Sequence, residues 1–218
     1  MNLELKKRIS TSIVLIILIY VSIFINLYVS LLALIIISIL SWFEFIKMTN
    51  KIYGVKNEFV ANLILILSAL YLTIFSGISY YIIAIDKIYF SYIILICALS
   101  DIGGFVFGKT FRGAKLTKIS PNKTISGSIG SFFFSIMPLF IYNIYDTDEY
   151  SVGIIIFLLC LSVSLACQIG DLFVSYLKRK AKVKDTGNIL PGHGGLLDRI
   201  DGIILAVPVG IVGLIIIY

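Results

Sequence analysis

The sequence predicts an all-α, polytopic integral membrane protein with about seven transmembrane helices. Hydrophobic residues make up 59% of the 218 positions and charged residues only 14%, and the mean hydropathy is +1.04. A soluble protein of this length needs more charge to cover its surface, whereas lipid-facing helices need almost none. The composition therefore excludes soluble nucleic-acid-binding modules, secreted disulfide scaffolds and disordered regulators, despite a net charge of +6.

The individual spans follow from the apolar stretches, since about 20 apolar residues cross the hydrocarbon core. These stretches lie at roughly 10–28, 30–48, 59–77, 88–108, 126–145, 151–177 and 199–217. The stretch from Gly77 to Lys87 is too short and too polar to cross alone, which leaves two interpretations, an interfacial turn or half of an eighth, broken span. We expect one membrane-embedded domain over residues 1–218, with its catalytic half at about 88–218.

The basic residues predict the orientation, because short cytoplasmic loops retain Lys and Arg. In the seven-span arrangement 17 of the 18 basic residues fall on one side, and only Lys87 falls on the other, together with Asp86, Asp146, Asp148 and Glu149. We therefore expect a multi-pass protein of the cell membrane, with its N-terminus and its two long polar loops in the cytoplasm.

The first of these polar loops suits a phosphate-bearing ligand. It carries five cations and ends with Lys123 and Thr124, directly before Ser126, Gly127 and Ser128 at a helix start. Glycine lets a backbone approach a ligand closely, and helix N-termini point N–H groups outward. A positive-inside loop that ends in an ordinary helix cap explains the same residues.

A polar stripe follows on the sixth predicted helix. Its members are spaced at offsets 0, 3, 7, 10 and 14, which place them on one face of a helix: Gln168, Asp171, Ser175, Lys178 and Lys182. A charged residue at membrane depth is costly and therefore points to function. The alternative is that Asp171 and Lys178 only neutralise each other at the interface.

The second polar loop surrounds the single histidine, His193. A tight turn before the last span is predicted by its neighbours Pro191, Gly192, Gly194 and Gly195. Asp198 and Asp201 follow at i, i+3 and can face one point. Carboxylates that converge in this way suit Mg²⁺ when substrate phosphates complete its octahedron. His193 itself is explained equally well as a residue of the turn.

Two further acidic residues lie within predicted spans. Asp101 precedes Gly104 and Gly108 on a small-residue face that permits close helix packing. We expect Asp101 to line the polar cavity. Glu44 is expected to be structural, with a partner on another helix that the sequence does not name.

The segment from Ser175 to Asp201 resembles the signature of the phosphatidate cytidylyltransferases, also called CDP-diglyceride synthetases or CDP-diacylglycerol synthases. It reads Ser-x-Leu-Lys-Arg-x₄-Lys-Asp-x-Gly-x₂-Leu-Pro-x-His-Gly-Gly-Leu-x-Asp-Arg-Ile-Asp and agrees at every specified position. The segment from Ser120 to Thr124 is similar to the upstream Ser-Pro-Lys-Lys-Thr element of that family, and the resemblance covers nearly the whole chain. Asn122 replaces a lysine and Ser126 replaces a common acidic residue. If these positions help to hold the triphosphate or a metal, binding is expected to be weaker or rearranged, but the intact longer motif predicts an active enzyme.

This resemblance implies transfer of a cytidylyl group from CTP to phosphatidic acid in phospholipid biosynthesis, giving CDP-diacylglycerol and pyrophosphate. The implied cofactor is Mg²⁺, with a second cation left open, and the implied metal ligands are Asp171, Asp198 and Asp201. The implied catalytic residues are Asp171, Lys178, Asp198 and His193. The implied substrate-binding residues are Lys123, Thr124, Ser175, Arg179, Lys184 and Arg199. The expected partners are CTP, phosphatidic acid and membrane lipid without nucleic acid, and a homodimer is left open.

Three other classes compete with this interpretation. A CTP-dependent polyprenol or dolichol kinase shares a membrane body and a metal site, but the long motif argues against it. A CDP-alcohol phosphotransferase needs its own aspartate-rich motif, which Asp201 and Gly202 do not continue. A transporter also buries carboxylates, but gives no reason for the His-Gly-Gly turn or for two basic loops on one side.

Overall fold

The chain is all helical in the computed structural model, which describes residues 3–117, 119–121, 123–140, 150–192 and 194–217. The helices are α1 (Leu3–Phe24), α2 (Leu27–Tyr53), α3 (Glu58–Ile85), α4 (Lys87–Phe111), α5 (Ile125–Ser135), α6 (Tyr150–Lys180) and α7 (Leu197–Ile217), with a 3₁₀ turn at Gly54–Asn57. Over the described residues there is no β-strand, only isolated bridges at Lys115–Thr124 and Leu190–Gly194. The predicted all-α class is confirmed.

Four helices of the described chain are long and apolar enough to cross a membrane. They are α2, α3, α4 and the part of α6 from Gly153 to Lys180, which correspond to the predicted spans 30–48, 59–77, 88–108 and 151–177. Shorter apolar helices cover Ile9–Phe24 and Ile125–Phe140. The predicted fifth span extends to residue 145 and so runs into residues 141–149, outside the described part.

The first span ends four residues earlier than predicted. Helix α1 stops at Phe24, because Asn26 adopts an extended conformation and its side chain accepts a hydrogen bond from the Tyr28 backbone N–H at 3.0 Å. Asparagine in that position caps the N-terminus of the next helix. A boundary placed by hydropathy alone overlooks this polar cap between two apolar runs.

The stretch from Gly77 to Lys87, for which the sequence left an interfacial turn or half of a broken span open, is almost entirely helical. Its residues as far as Ile85 continue α3, and the chain breaks only at Asp86, which is in an extended conformation before α4 begins at Lys87. The two tyrosines in this stretch do not interrupt a helix. At 1.5 Å per residue, the 28 residues of α3 span about 42 Å, longer than the hydrocarbon core of about 30 Å.

The helices form two compact units, and the first comprises Met1–Lys87 with Leu177–Ile200. In this unit α2 packs on α3 through a 2.6 Å hydrogen bond between the hydroxyls of Ser38 and Ser76. The Trp42 indole N–H also donates to the Leu65 carbonyl at 3.2 Å. Many large apolar side chains of this unit are exposed, which suits contact with lipid. The expectation of a single domain over 1–218 stays a prediction.

The second unit comprises Ile88–Tyr176 with Asp201–Tyr218. Helices α4 and α5 approach so closely that a Cβ atom added at Gly103 would overlap the Gly130 carbonyl. The Gly104 and Gly108 face contacts the same helix, so its predicted packing role is confirmed. Helix α7 packs on α4 through the Tyr89 hydroxyl, which donates to the Gly210 carbonyl at 2.7 Å.

Candidate functional site

Asp198 is the centre of a hydrogen-bonded group in the first unit, the Asp198 cluster, formed by Lys178, Thr186, Gly195 and Asp198. The Lys178 ammonium donates to Oδ1 of Asp198 at 2.7 Å. Oδ2 accepts from the Thr186 backbone N–H at 2.8 Å and from the Gly195 N–H at 3.2 Å, and it lies 3.0 Å from the Thr186 hydroxyl. The aspartate side chain is only 7% exposed.

The same contacts set the ionisation of Asp198, which lies in the first turn of α7. Burial by itself raises the pKa of this carboxyl group, because it disfavours the charged form. The hydrogen bonds from Lys178 and from the backbone N–H groups of Thr186 and Gly195 outweigh burial and lower the pKa below its ordinary value. Asp198 is therefore a carboxylate at neutral pH.

Glu44 anchors the loop that carries this cluster. Its side chain is completely buried, and its two oxygens accept hydrogen bonds from the backbone N–H groups of Leu196 and Leu197, each at 2.9 Å. The Thr186 hydroxyl lies 2.7 Å from Oε2 of Glu44. The partner that the sequence could not name is thus the second polar loop at the start of α7.

A polar cavity of about 700 Å³ lies in the same loop. Lys184 and Arg199 line it together with Asp185 and Asn188. The predicted tight turn is confirmed by Gly192 and Gly194, which have φ of 78° and 86°. Leu190 and Gly194 exchange backbone hydrogen bonds of 2.9 and 3.1 Å across this turn. His193 lies outside the described residues, so its predicted catalytic role stays a prediction.

The second unit contains a different group, the Asp171 cluster, formed by Lys123, Asp171 and Ser175. Lys123 and Asp171 form an ion pair, with side chains 26% and 32% exposed. The Ser175 hydroxyl lies 3.5 Å from Asp171. The alternative in which Asp171 and Lys178 neutralise each other is wrong, because each has another partner.

A cavity of about 310 Å³ opens beside Asp171. Asp101, Lys123, Thr124, Ser128 and Gln168 line it with Asp171, so Asp101 lines a polar cavity as expected. The Ser128 hydroxyl donates to the Gln168 side-chain oxygen at 2.5 Å. Gln168 and Asp171 therefore face one cavity, as their helical spacing predicts.

The loop before α5 ends in a helix cap. The Thr124 side-chain oxygen accepts a hydrogen bond from the Gly127 N–H at 3.1 Å. Thr124 is therefore an ordinary N-terminal helix cap, one of the two explanations that the sequence allowed for this loop. The Ser126 hydroxyl bonds to the Arg112 carbonyl and lies 3.0 Å from the Thr124 hydroxyl. Arg112 has a left-handed backbone with φ of 51°. Asn122 lies outside the described residues.

Two further predicted residues lie on α6 and α7. Arg179 is exposed near the end of α6. Asp201 lies in the second turn of α7, its carboxylate accepts from the Gly202 N–H at 3.0 Å, and a Cβ atom added at Gly170 would overlap its carbonyl. The structure thus brings together Lys178 with Asp198, and Lys123 with Asp171 and Ser175.

The donor set next to Asp171 is suited to Mg²⁺. In the described part of the chain, no three Asp, Glu, His or Cys side chains form a metal-binding group by themselves. Asp101 and Asp171 nevertheless line one cavity. Mg²⁺ usually takes one or two carboxylates and completes its shell with phosphate oxygens and water. The use of Asp171, Asp198 and Asp201 as ligands stays a prediction.

Comparison with known proteins identifies a family and several relatives. A model of the cytidylyltransferase family matches residues 55–216. A Rickettsia felis protein named phosphatidate cytidylyltransferase is 44% identical over 121 residues, covering 52% of this chain and 53% of the relative. A Staphylococcus aureus protein of the same name is 46% identical over 123 residues, covering 55% of this chain and 46% of the relative. The match thus spans about half the length of these curated relatives. Because the family model covers well over half of its residues, the chain belongs to the cytidylyltransferase family.

Proposed function

We propose that this chain is an integral membrane phosphatidate cytidylyltransferase, which converts CTP and phosphatidic acid into CDP-diacylglycerol and pyrophosphate. The observation that carries the proposal is the 27-residue segment from Ser175 to Asp201, in which the signature lysine and aspartate, Lys178 and Asp198, form a buried pair. Family membership and the names of the relatives support the same reaction. The long apolar helices support a lipid substrate.

The reaction makes limited demands on the protein. A phosphate oxygen of the lipid attacks the α-phosphorus of CTP, and the bond from that phosphorus to the bridging oxygen of the β-phosphate breaks, so that pyrophosphate leaves. The lipid phosphate is already a nucleophile, so no Ser or Cys nucleophile is required. The protein needs to align the two phosphates and offset their charge.

The basic residues supply that charge. Lys184 and Arg199 line the larger cavity and would bind phosphate oxygens there. Lys123 lines the smaller cavity and would bind phosphate in exchange for its contact with Asp171. Lys178 neutralises Asp198, and Ser175 and Arg179 extend the polar end of α6.

The proposed cofactor is Mg²⁺, held by Asp171 and Asp198 with Asp201 as a further ligand or neighbour. When bound, the ion offsets phosphate charge and polarises the phosphoryl group under attack. Asp198 would serve such an ion as a carboxylate already ionised and fixed in place. Asp171 would bind the ion as a partly exposed carboxylate whose present partner is the lysine Lys123.

The experiment that tests the reaction uses purified protein with phosphatidic acid, Mg²⁺ and CTP labelled at either its α- or its γ-phosphorus. Cytidylyl transfer moves only the α label into the lipid fraction, whereas a CTP-dependent lipid kinase moves only the γ label. Asp198→Asn, which alters the buried pair, is the matched negative control. Recovery of the γ label in lipid, or of neither label, would contradict the proposal.

We also propose that the two polar loops and the N-terminus face the cytoplasm. A cysteine introduced as Lys182→Cys or Lys115→Cys should react with an impermeant maleimide only after the cells are opened, whereas Asp148→Cys should react from outside. The three native cysteines are buried, so their background labelling should be low. Labelling of Lys182→Cys in intact cells would overturn the orientation.

A further inference from the structure

Glu44 is a buried carboxylate that the proposed chemistry does not use. It lies on α2, outside the residues 55–216 that match the family model. Its side chain has no exposed surface, and burying a carboxylate is costly unless hydrogen bonds replace the lost water. Three hydrogen-bond donors take the place of that water, and all three belong to the loop between α6 and α7 or to the first residues of α7.

These contacts place Glu44 at the N-terminus of α7. The backbone N–H groups of Leu196 and Leu197 have no partner within the helix, as is general for the first residues of an α-helix. Each donates to one oxygen of Glu44. A carboxylate supplied by another helix thus caps α7 one residue before Asp198, and the positive end of the helix dipole favours it.

A second connection runs through the Thr186 hydroxyl. This group is buried and lies 2.7 Å from Glu44 and 3.0 Å from Asp198. The hydroxyl carries one proton and donates it to the nearer Glu44, while the Thr186 backbone N–H donates to Asp198 at 2.8 Å, so Thr186 bridges the anchoring carboxylate and the carboxylate of the signature. The position of Asp198 depends on Glu44 from two directions, the start of its own helix and the Thr186 side chain.

Two glycines of the signature fit the same arrangement. A Cβ atom added at Gly187 would overlap the Glu44 carboxylate, and one added at Gly195 would overlap the Thr186 hydroxyl and reach Glu44. Neither glycine has a left-handed backbone. Their small size is required by the space that Glu44 and Thr186 fill.

From these contacts we infer that Glu44 is a positioning residue, which fixes the loop and the first turn of α7 so that Asp198 is held ready for cytidylyl transfer. The expected effect on turnover rests on the proposed function. The anchoring of Leu196, Leu197 and Thr186 by Glu44 is independent of that function.

The test compares Glu44→Gln with Ser41→Ala, a control one turn earlier on α2. Ser41 is equally buried, and its hydroxyl has no hydrogen-bond partner among the described residues. Glu44→Gln should lower kcat by about 10- to 100-fold, the effect of misplacing a reacting group. The KM values for CTP and phosphatidic acid should change less than kcat, since the cavity cations Lys184 and Arg199 are retained.

Hydrogen exchange gives a readout that does not depend on activity. In Glu44→Gln, a peptide covering residues 185–200 should exchange about 10-fold faster or more, the factor expected for weakened hydrogen bonds to a carboxylate. A peptide from α3 should be unchanged. If Glu44→Gln does not fold, Thr186→Val and Thr186→Ser test the same connection, because only serine retains the hydroxyl.

The outcomes are distinct. A wild-type kcat in Glu44→Gln, or equal losses in Thr186→Ser and Thr186→Val, would overturn the inference. So would exchange in residues 185–200 that matches the wild-type protein. If the wild-type protein transfers no cytidylyl group, the proposed function fails, and the exchange experiment still decides whether Glu44 anchors the loop.

Discussion

The two candidate carboxylates differ in how firmly the structure holds them. Asp198 is 7% exposed, accepts three hydrogen bonds, from one ammonium and two backbone N–H groups, and lies 3.0 Å from the Thr186 hydroxyl. Asp171 is 32% exposed and has one ion pair and one long contact with a hydroxyl. Asp198 is thus preorganised by the fold, whereas Asp171 can exchange Lys123 for a ligand at little cost.

The largest effect is expected for Asp198→Asn. In either orientation, the amide NH₂ of the asparagine faces another hydrogen-bond donor. That donor is the Lys178 ammonium in one orientation and the N–H groups of Thr186 and Gly195 in the other. We expect turnover to fall about 100-fold or more. Breaking a mostly buried pair costs about 3 kcal/mol, which should lower the Tm in detergent by several degrees.

Asp171→Asn tests whether the two carboxylates differ in rigidity but not in catalytic importance. Turnover of this variant should fall about as much as in Asp198→Asn, because an amide replaces a carboxylate poorly at Mg²⁺. Its Tm should stay within about 2 °C of the wild-type value, since a partly exposed ion pair contributes about 0–1 kcal/mol to stability. Turnover of labelled CTP and thermal unfolding in detergent measure both effects, and equal Tm losses in the two variants would remove the proposed distinction.

The sequence predicted the fold class because composition and span length depend on each residue's preference for lipid or water. It also predicted that Gln168 and Asp171 share a face, because helical spacing is local. It did not predict that Glu44 and Thr186 meet, since 142 residues separate them and no local pattern reports that contact. The alternative that Asp171 and Lys178 neutralise each other considered one helix only, whereas Lys123 pairs with Asp171 from another segment.

The next largest effect is expected for Lys178→Ala, compared with Lys180→Ala. Lys178 donates to the buried Asp198, so its removal leaves a carboxylate uncompensated and should cost about 10- to 100-fold in kcat. Lys180 is exposed and lies about 200° around the helix from Lys178. Its replacement should change kcat less than about 2-fold. Similar losses in both variants, at matched expression and saturating substrates, would mean that the end of α6 acts only as a diffuse basic patch.

A smaller effect is expected for Lys123→Gln. Lys123 is 26% exposed and pairs with a half-exposed carboxylate, so stability should not change measurably. The loss of a phosphate-binding cation should raise the KM for CTP or phosphatidic acid by about 10-fold, the value of one charge-assisted hydrogen bond. Lys115→Gln, in the same loop and exposed, is the matched control and should leave KM nearly unchanged. A Tm loss in Lys123→Gln as large as in Asp198→Asn would show that the Asp171 cluster is as rigid as the Asp198 cluster.

The smallest effect concerns Ser126, where the family commonly has an acidic residue. The Ser126 hydroxyl donates to the Arg112 carbonyl and so supports the left-handed backbone at Arg112. Ser126→Ala removes that hydrogen bond and should cost about 1 kcal/mol, or a few degrees in Tm. Ser126→Asp removes the same donor but adds a negative charge in the first turn of α5, which the helix dipole favours by about 0.3–1 kcal/mol. The aspartate variant should therefore be more stable than the alanine variant and close to the wild-type protein.

Thermal unfolding in low salt measures the difference, which should shrink as salt screens the dipole interaction. An aspartate variant less stable than the alanine variant would show that the loop before α5 tolerates no added negative charge, in contrast to the exchangeable Asp171 cluster.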